Sequence, residues 1–298
     1  MIRVLLAAAL AIGGSAMAAP QIAFTFDDLP AHGELPAGWT RLDVAETVIN
    51  ALKAGGVPSS YGFVNGGLVE QAPGDVAVLS RWRDSGNLLG NHTWSHPGLS
   101  NKSVADYETE IVKNEPVIAA GSSDWHWFRY PFLDEGKDDA DRGEIRAFLA
   151  GRGYKIAPVT TGLNDWDYPA PYARCLARND TAAIARLEEM YLKRAEAGFD
   201  YSRAMAKALY GRDIPYVLLL HVGAFQAHML PKLIALYQAK GVRFIGVEKA
   251  LKDPHYRGFA DPSLPAPPRD LERALQAKGL QPPPFPDWRQ DELAAICQ

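Results

Sequence analysis

The segment Gln21-Ile22-Ala23-Phe24-Thr25-Phe26-Asp27-Asp28 decides the fold, because an apolar run ends directly in two adjacent carboxylates. A nearly continuous apolar run of this length is typical of a parallel strand buried on both faces. Further runs of the same kind follow along the chain: Ser60 to Val64, Asn87 to His92, Trp127 to Pro131, Lys155 to Thr160, Tyr216 to Val222 and Val242 to Val247. The sequence therefore predicts about seven buried strands.

Segments with helical periodicity lie between these predicted strands. They are Leu42 to Lys53, Asp75 to Asp84, Ser103 to Ala119, Gly143 to Gly151, Thr181 to Tyr210 and Met229 to Lys240. The fifth is longer than one crossover needs, so we expect two helices there, broken near Gly198. Regular alternation of strand and helix favours a distorted (β/α) barrel of parallel strands. A doubly wound open sheet is the alternative, because periodicity does not report closure.

The first 18 residues have the pattern of a secretory signal peptide. Arg3 precedes an apolar run from Val4 to Ile12, and Ala16-Met17-Ala18 is a small-residue cleavage site. The run is too short for a convincing membrane span. We therefore expect cleavage after Ala18, a periplasmic or secreted protein and no stable membrane insertion, with an uncleaved anchor as the alternative.

We expect the rest of the chain to hold one barrel domain over residues 19–252. The proline-rich segment 253–298 is expected to pack on that barrel rather than to form a second domain. Cys175 and Cys297 permit one disulfide in an oxidising compartment, and the sequence leaves open whether it forms. A formal net charge of −4, without a cluster of Lys and Arg, argues against nucleic acid as a partner.

Ionisable side chains follow five of the predicted strands at the points where the strands end. They are Asp27 with Asp28, His92, Arg129, Asp165 and His221. The carboxyl ends of the strands of an α/β barrel meet at one rim, where loops converge on a substrate. The sequence therefore predicts one site built from all five.

His92 and His96 are the candidate metal ligands, since no cysteine pair has zinc-site spacing. Their spacing of four places both imidazoles on one side of a helical turn, which Pro97 would end. Two imidazoles and one carboxylate would leave zinc an open position for water. Of the adjacent Asp27 and Asp28, one can bind the metal while its neighbour meets the water. Each pair alone is commonly a surface or turn feature, but together they favour a metal-dependent hydrolase.

These residues resemble the five motifs of the polysaccharide deacetylase family, carbohydrate esterase family four. The similar segments are, in order, Thr25-Phe26-Asp27-Asp28, His92 to Pro97, Phe128-Arg129-Tyr130-Pro131-Phe132, Asp165-Trp166 and Leu219-Leu220-His221. The resemblance extends from Ile22 to Val247. Two positions depart from the family pattern, because Leu29-Pro30 replaces the usual Gly-Pro and Phe132-Leu133 replaces the usual Tyr and Gly. Both departures lie beside the cleft and leave the substrate open.

The resemblance implies a role for each residue of the predicted metal site. Asp27 would be the general base. Asp28, His92 and His96 would bind a divalent metal, usually zinc, with cobalt as another possibility. Arg129 would hold Asp27 ionised and oriented.

The resemblance also implies how the substrate is held and how the amine leaves. The backbone N–H of Phe132 would help to stabilise the oxyanion. Leu219 and Trp166 would enclose the acetyl methyl group. His221, tuned by Asp165, would protonate the leaving amine.

The activity that the resemblance implies is removal of N-acetyl groups from an acetylated glycan that contains N-acetylglucosamine. An O-acetyl esterase of the xylan type is the alternative, because the same water can attack an ester. Relatives that open cyclic amides without metal generally lack the histidine pair, and an inactive glycan-binding relative would be expected to have lost Asp27 or His221.

The remaining histidines have no partner at ligand spacing, and we interpret them as surface or core residues. They are His32, His126, His228 and His255. Among the tryptophans, Trp94 is the candidate for stacking on a sugar ring, because it lies between the two candidate ligands.

Overall fold

A computed structural model describes residues 18–121 and 124–298, so the predicted signal peptide lies outside the described residues except for Ala18. Seven parallel strands form one sheet in the order β5-β4-β3-β2-β1-β6, and β7 pairs with β1. Their bounds are β1 (Gln21–Leu29), β2 (Tyr61–Val64), β3 (Leu88–Asn91), β4 (Trp127–Phe128), β5 (Lys155–Ile156), β6 (Pro215–His221) and β7 (Arg243–Phe244).

The sheet curls until its two ends meet. Beyond β5, Thr161 forms an isolated parallel bridge with Leu218 of β6. Leu219 N–H also donates to the carbonyl of Thr161 at 3.0 Å. This contact confirms the predicted distorted barrel over the open sheet. The central strand β1 is buried almost throughout, as its apolar sequence predicts.

Twelve helices connect and cover the strands in the described part of the chain. They are α1 (Arg41–Ala54), α2 (Gly66–Gln71), α3 (Val76–Asp84), α4 (Val104–Ala119), α5 (Asp139–Gly151), α6 (Pro169–Ala177), α7 (Thr181–Tyr210), α8 (Ala224–Ala239), α9 (Val247–Ala250), α10 (Arg257–Ala260), α11 (Leu271–Ala277) and α12 (Gln290–Ala295). The longer ones follow the predicted segments, whereas the short α2, α6 and α9 to α12 carry too little periodicity to be predicted.

The predicted break near Gly198 is wrong, because α7 runs without interruption from Thr181 to Tyr210. Gly198 serves packing instead. A Cβ atom at this position would lie 2.2 Å from the carbonyl oxygen of Gly162. The glycine therefore lets the helix approach the backbone after β5 at a distance that no side chain allows.

The predicted helical turn from His92 to His96 is also wrong, because the chain forms an irregular loop after β3. Thr93 has φ 65° and His96 has φ 59°, both in the left-handed region that interrupts a right-handed helix. Both histidines still reach one point, but through the loop rather than through helical spacing.

The strands on one side of the barrel are shorter than their apolar runs. β4 and β5 each contain two residues, because Pro131 and Pro158, which lack a backbone N–H, follow soon after them. The chain leaves the sheet there and builds the rim of the barrel.

The segment after Asp253 contacts the barrel through a few buried side chains. Leu271, Leu275, Leu293 and Ile296 join the main hydrophobic core. A disulfide between Cys175 of α6 and Cys297 ties the end of the chain to the barrel helices. Among the described residues, no helix is both apolar enough and long enough to cross a bilayer.

Candidate active site

The register of β1 and β6 brings the first catalytic candidates together. Asp27 lies directly opposite His221 in the parallel pair. Two residues before Asp27, the hydroxyl of Thr25 donates to the carbonyl of Leu218 at 2.8 Å, which fixes this register beneath the rim. The carboxyl ends of the strands therefore converge as the sequence predicts.

Asp28 departs from ordinary strand geometry. Its φ is 63°, and the pairing of β1 with β2 shifts register between Phe26 and Leu29. Non-glycine residues rarely adopt this conformation, and such strain concentrates at functional sites. Both carboxylates approach Nε2 of His92, Asp28 at 3.4 Å and Asp27 at 3.6 Å, but only that of Asp28 also lies within 4.0 Å of His96 among the described residues.

Asp28, His92 and His96 form a cluster that fits a divalent metal. Oδ1 of Asp28 lies 3.4 Å from Nε2 of His92 and 3.3 Å from Nε2 of His96. Tetrahedral ligands at zinc-ligand distances lie about 3.4 Å from one another. Oδ1 is also buried and accepts no hydrogen bond from the described residues. An unpaired buried oxygen facing two imidazole nitrogens is the donor set that a zinc-like cation requires.

The His92 ring is oriented by the strand next to it. Nδ1 of His92 lies 2.8 Å from the carbonyl oxygen of Arg129. Because a carbonyl only accepts, Nδ1 carries the proton and Nε2 is free to bind a metal. The Asn65 amide holds the start of the loop, since it donates to the carbonyl of His92 at 2.6 Å.

The local electrostatics keep these ligands in their metal-binding forms. Burial lowers the pKa of His96 to about 4, so its imidazole is neutral at neutral pH. Burial would raise the pKa of Asp28, but the neighbouring His32 and His92 outweigh it and hold that pKa well below its usual value. The cluster therefore offers the ionised carboxylate of Asp28 and the neutral imidazole of His96 beside Nε2 of His92.

Arg129 fixes Asp27 beside the cluster. Its Nη1 lies 3.3 Å from both carboxylate oxygens of Asp27. The same guanidinium donates to the carbonyl of Ala157 at 2.8 Å and to the hydroxyl of Thr25 at 3.1 Å. Because the guanidinium is held both by β1 and by Ala157 just after β5, Asp27 has little rotational freedom, with Oδ2 3.6 Å from Nε2 of His92.

Asp165 holds His221 at two points. One carboxylate oxygen accepts from the backbone N–H of His221 at 2.7 Å, and the other lies 2.9 Å from its Nδ1. Burial alone would lower the pKa of His221, but the charge and hydrogen bond of Asp165 outweigh it and raise the value to about 9. His221 therefore carries a proton near neutral pH, unlike His96.

A cleft of about 520 Å³ opens beside Asp28 and His96, and Phe132 and Trp94 line it. The ring of Phe132 is 71% exposed and meets the His96 ring edge-on at 4.5 Å. Trp94 is already engaged on its ring by Lys113, whose Nζ lies 4.1 Å from the centroid. Stacking of a sugar on Trp94 therefore stays a prediction.

The other predicted substrate residues flank His221. Leu219 is two residues before His221 on β6 and is buried, so both side chains lie on one face of the strand. Trp166 is 38% exposed, and its ring meets the His221 ring at 5.5 Å. All ten predicted site residues thus lie around this rim of the barrel.

The interpretation of His32 as a surface or core histidine is wrong. Its Nδ1 donates to Oδ2 of Asp28 at 2.7 Å, and its ring lies 4.8 Å from that of His221. Nε2 of His32 lies 3.3 Å from the carbonyl oxygen of Trp166. The sequence signal is its position four residues after Asp28, since His32 has no second histidine at ligand spacing.

Comparisons with known proteins agree with this geometry. The family model described as polysaccharide deacetylase matches residues 14–143, which include Asp27, Asp28, His92, His96 and Arg129. Asp165 and His221 lie beyond the matched range.

Two curated bacterial relatives match a third of the chain. A peptidoglycan-N-acetylglucosamine deacetylase of Bacillus cereus is 29% identical over 98 residues, which are 33% of this chain and 30% of that protein. One from Listeria monocytogenes is 31% identical over 98 residues, which are 33% of this chain and 18% of that protein. The chain thus spans less than a third of the length of either relative.

Solved structures show the same fold. The chitin deacetylase of the fungal pathogen Colletotrichum lindemuthianum superposes with a TM-score of 0.53 at 23% identity, over 80% of this chain and 91% of that chain. The family model, the order of the motifs and the distorted barrel agree. Residues 14–143 thus resemble the polysaccharide deacetylase family, and the barrel shares the fold of the fungal deacetylase.

Proposed function

We propose that this protein is an exported, metal-dependent hydrolase that removes N-acetyl groups from N-acetylglucosamine units of a glycan. The observation that carries the proposal is the orphaned Oδ1 of Asp28, which faces Nε2 of His92 and of His96 at 3.4 and 3.3 Å. Asp27 lies 3.6 Å from His92 of this cluster, and His221 is its neighbour on β6, so a base and an acid are close to the cluster. The curated relatives named as peptidoglycan-N-acetylglucosamine deacetylases support the substrate class.

A divalent cation held by Asp28, His92 and His96 would polarise the acyl oxygen and make a water molecule more acidic. Asp27, held by Arg129, accepts the proton that the attacking water loses. The backbone N–H of Phe132, which no backbone acceptor in the described chain engages, is available to donate to the oxyanion. Leu219 and Trp166 exclude water from the acetyl methyl group.

His221 completes the reaction. An amine leaves only when its nitrogen is protonated as the C–N bond breaks, and the His221 imidazolium is oriented by Asp165 to supply that proton. An alkoxide depends less on such an acid. The raised pKa of His221, about 9, therefore favours the amide substrate over the O-acetyl ester.

Two features support action outside the cytoplasm. The first 18 residues carry the signal-peptide pattern, although all but the last of them lie outside the described residues. The Cys175–Cys297 disulfide is of a kind that persists in oxidising compartments.

Product analysis tests the proposal. Purified protein is stripped with a chelator, reloaded with zinc, and given chitin oligosaccharides and acetylated xylan oligosaccharides of matched length. We expect mass spectrometry to find free amines and acetate from the chitin series at a much higher rate. Faster loss of acetyl groups from the xylan series would favour the esterase, and no loss from either would contradict hydrolysis of acetyl groups.

A further inference from the structure

A second cavity, of about 240 Å³, borders the same turn Pro131–Leu133 as the cleft. Phe132 lines the cleft, whereas its neighbour Leu133 lines this cavity. Arg129, which contacts Asp27, also forms part of its wall. We call this cavity the arginine pocket, defined by Tyr130, Arg146, Arg269 and Arg273.

The arginine pocket carries positive charge that the described chain does not neutralise. Neither Arg146 nor Arg269 has a carboxylate oxygen within 4.0 Å among the described residues. Arg146 is only 3% exposed, and its Nη2 donates to the backbone carbonyls of Gly258, Asp261 and Leu264. A buried guanidinium that no carboxylate contacts is costly, so the pocket is suited to an anion.

The two carboxylates in the wall are already engaged. Glu135 forms an ion pair with Arg142, and Asp270 caps α11 and lies 3.6 Å from Nε of Arg273. Arg269 uses only Nη1, which donates to the carbonyl of Gly136 at 2.8 Å. Within the described residues, Nε and Nη2 of Arg269 and Nε and Nη1 of Arg146 have no acceptor.

Tyr130 adds a neutral donor. Its side chain is 3% exposed, and its hydroxyl has no hydrogen-bond partner in the described part of the chain. Burial raises the pKa of Tyr130, so the hydroxyl keeps its proton and can donate. Guanidinium forks and a hydroxyl donor match the planar, two-oxygen geometry of a carboxylate.

We propose that the arginine pocket binds the carboxylate of an acidic sugar adjacent to the N-acetylglucosamine unit that occupies the cleft. This assignment of a substrate class rests on the proposed function, because that function makes the occupant a glycan chain. Phe132 and Leu133 are adjacent in the turn, so the wall of the cleft continues into the wall of the arginine pocket. The enzyme then prefers an acidic glycan over a neutral one.

Kinetics on two oligosaccharides of equal length test the assignment. In one, N-acetylglucosamine alternates with glucuronic acid, and the other contains N-acetylglucosamine alone. We expect a higher kcat/KM on the acidic substrate, with the preference falling as sodium chloride is raised. Arg269→Gln should lower kcat/KM on the acidic substrate by about 10- to 100-fold and leave kcat/KM on the neutral substrate unchanged.

Two further variants separate recognition from folding. Tyr130→Phe removes a hydroxyl that has no partner, so the fold should be kept while kcat/KM on the acidic substrate falls about 3- to 10-fold. Arg243→Gln is the matched control, because Arg243 is exposed at the amino-terminal end of β7, on the opposite rim. This variant should keep the wild-type kcat/KM on both substrates.

Binding of the acidic oligosaccharide to Asp27→Asn, measured by calorimetry, distinguishes failure of this inference from failure of the proposed function. Turnover of the neutral chain with no acidic preference and no effect of Arg269→Gln would overturn the pocket and leave the deacetylase standing. Binding that depends on Arg269, without any release of acetate by the wild type, would keep the pocket and remove the deacetylase. If neither Arg269-dependent binding nor acetate release is found, both the arginine pocket and the proposed deacetylase activity are contradicted.

Discussion

His92 and His221 have different chemical roles because their Nδ1 atoms have different hydrogen-bond partners. Nδ1 of His92 meets a neutral carbonyl, whereas Nδ1 of His221 meets the carboxylate of Asp165 at 2.9 Å. A carbonyl fixes the tautomer without favouring charge, while a carboxylate stabilises the imidazolium. One residue type thus supplies both a metal ligand with a fixed ring orientation and a charged acid within a single site.

At the residue scale, His221→Ala separates acid catalysis from positioning. We expect hydrolysis of an acetamide to slow by about 100- to 10,000-fold, because the amine loses its proton donor. An aryl acetate should slow much less, since a phenolate leaves without protonation. Rates on the two substrates measure the difference, and equal losses would reduce His221 to a positioning residue.

Asp165→Asn gives the matching pH dependence. The charge of Asp165 raises the pKa of His221 to about 9, so the acid stays protonated until the pH approaches that value. Without this charge burial dominates, the imidazolium loses its proton at lower pH, and the alkaline limb of the rate profile moves to lower pH. Both proteins must carry the same metal, because a nearby cation also lowers this pKa. If the alkaline limb of the rate profile does not move, Asp165 does not set the pKa of His221.

We expect loss of the His32 side chain to weaken metal binding rather than to slow the chemical step. Its Nδ1 fixes Oδ2 of Asp28, and loss of such an outer partner typically weakens metal binding by about 10- to 100-fold. Competition with a zinc-binding dye measures this for His32→Ala. His126→Ala is the control, because His126 stacks on Trp125 at the amino-terminal side of β4. Equal zinc affinity in His32→Ala and His126→Ala would show that His32 does not support the metal ligands.

At the element scale, the strands were predictable because buried parallel strands need apolar runs, and Asp27, Asp28, Arg129 and His221 follow such runs directly. The loop that carries His92 and His96 was not, since its path depends on left-handed residues and on Asn65 contacts that are distant in sequence. A spacing of four imitates a helix there, although the backbone is irregular.

The role of Gly198 also depends on a contact distant in sequence, and this contact gives a prediction about stability. Gly198→Ala should lower the free energy of unfolding by roughly 1–3 kcal/mol or more, because its Cβ would lie 2.2 Å from the carbonyl oxygen of Gly162. Gly143→Ala is the control, since a Cβ there meets nothing within 4 Å in α5 and should stabilise by about 0.5–1 kcal/mol. Denaturant unfolding compares them, and equal stabilities would show that α7 can shift.

At the scale of the whole molecule, the end of the chain is held to the barrel by a disulfide that spans 122 residues. Cys297→Ala should lower the free energy of unfolding by about 2–4 kcal/mol, because the unfolded chain regains the freedom that the link removes. Thermal unfolding with and without reductant measures this. Reductant should lower the Tm of the wild type and leave the variant unchanged, and an insensitive wild type would contradict a formed bridge.

The central claim is that metal binding and proton transfer are divided between Asp28 and Asp27. The most direct measurement is zinc content per chain, determined together with acetate release from a chitin oligosaccharide, for the wild type, Asp28→Ala and Asp27→Asn. We expect one zinc and rapid release in the wild type, neither in Asp28→Ala, and one zinc without release in Asp27→Asn. An Asp27→Asn protein without zinc, or an Asp28→Ala protein that still releases acetate, would contradict the account.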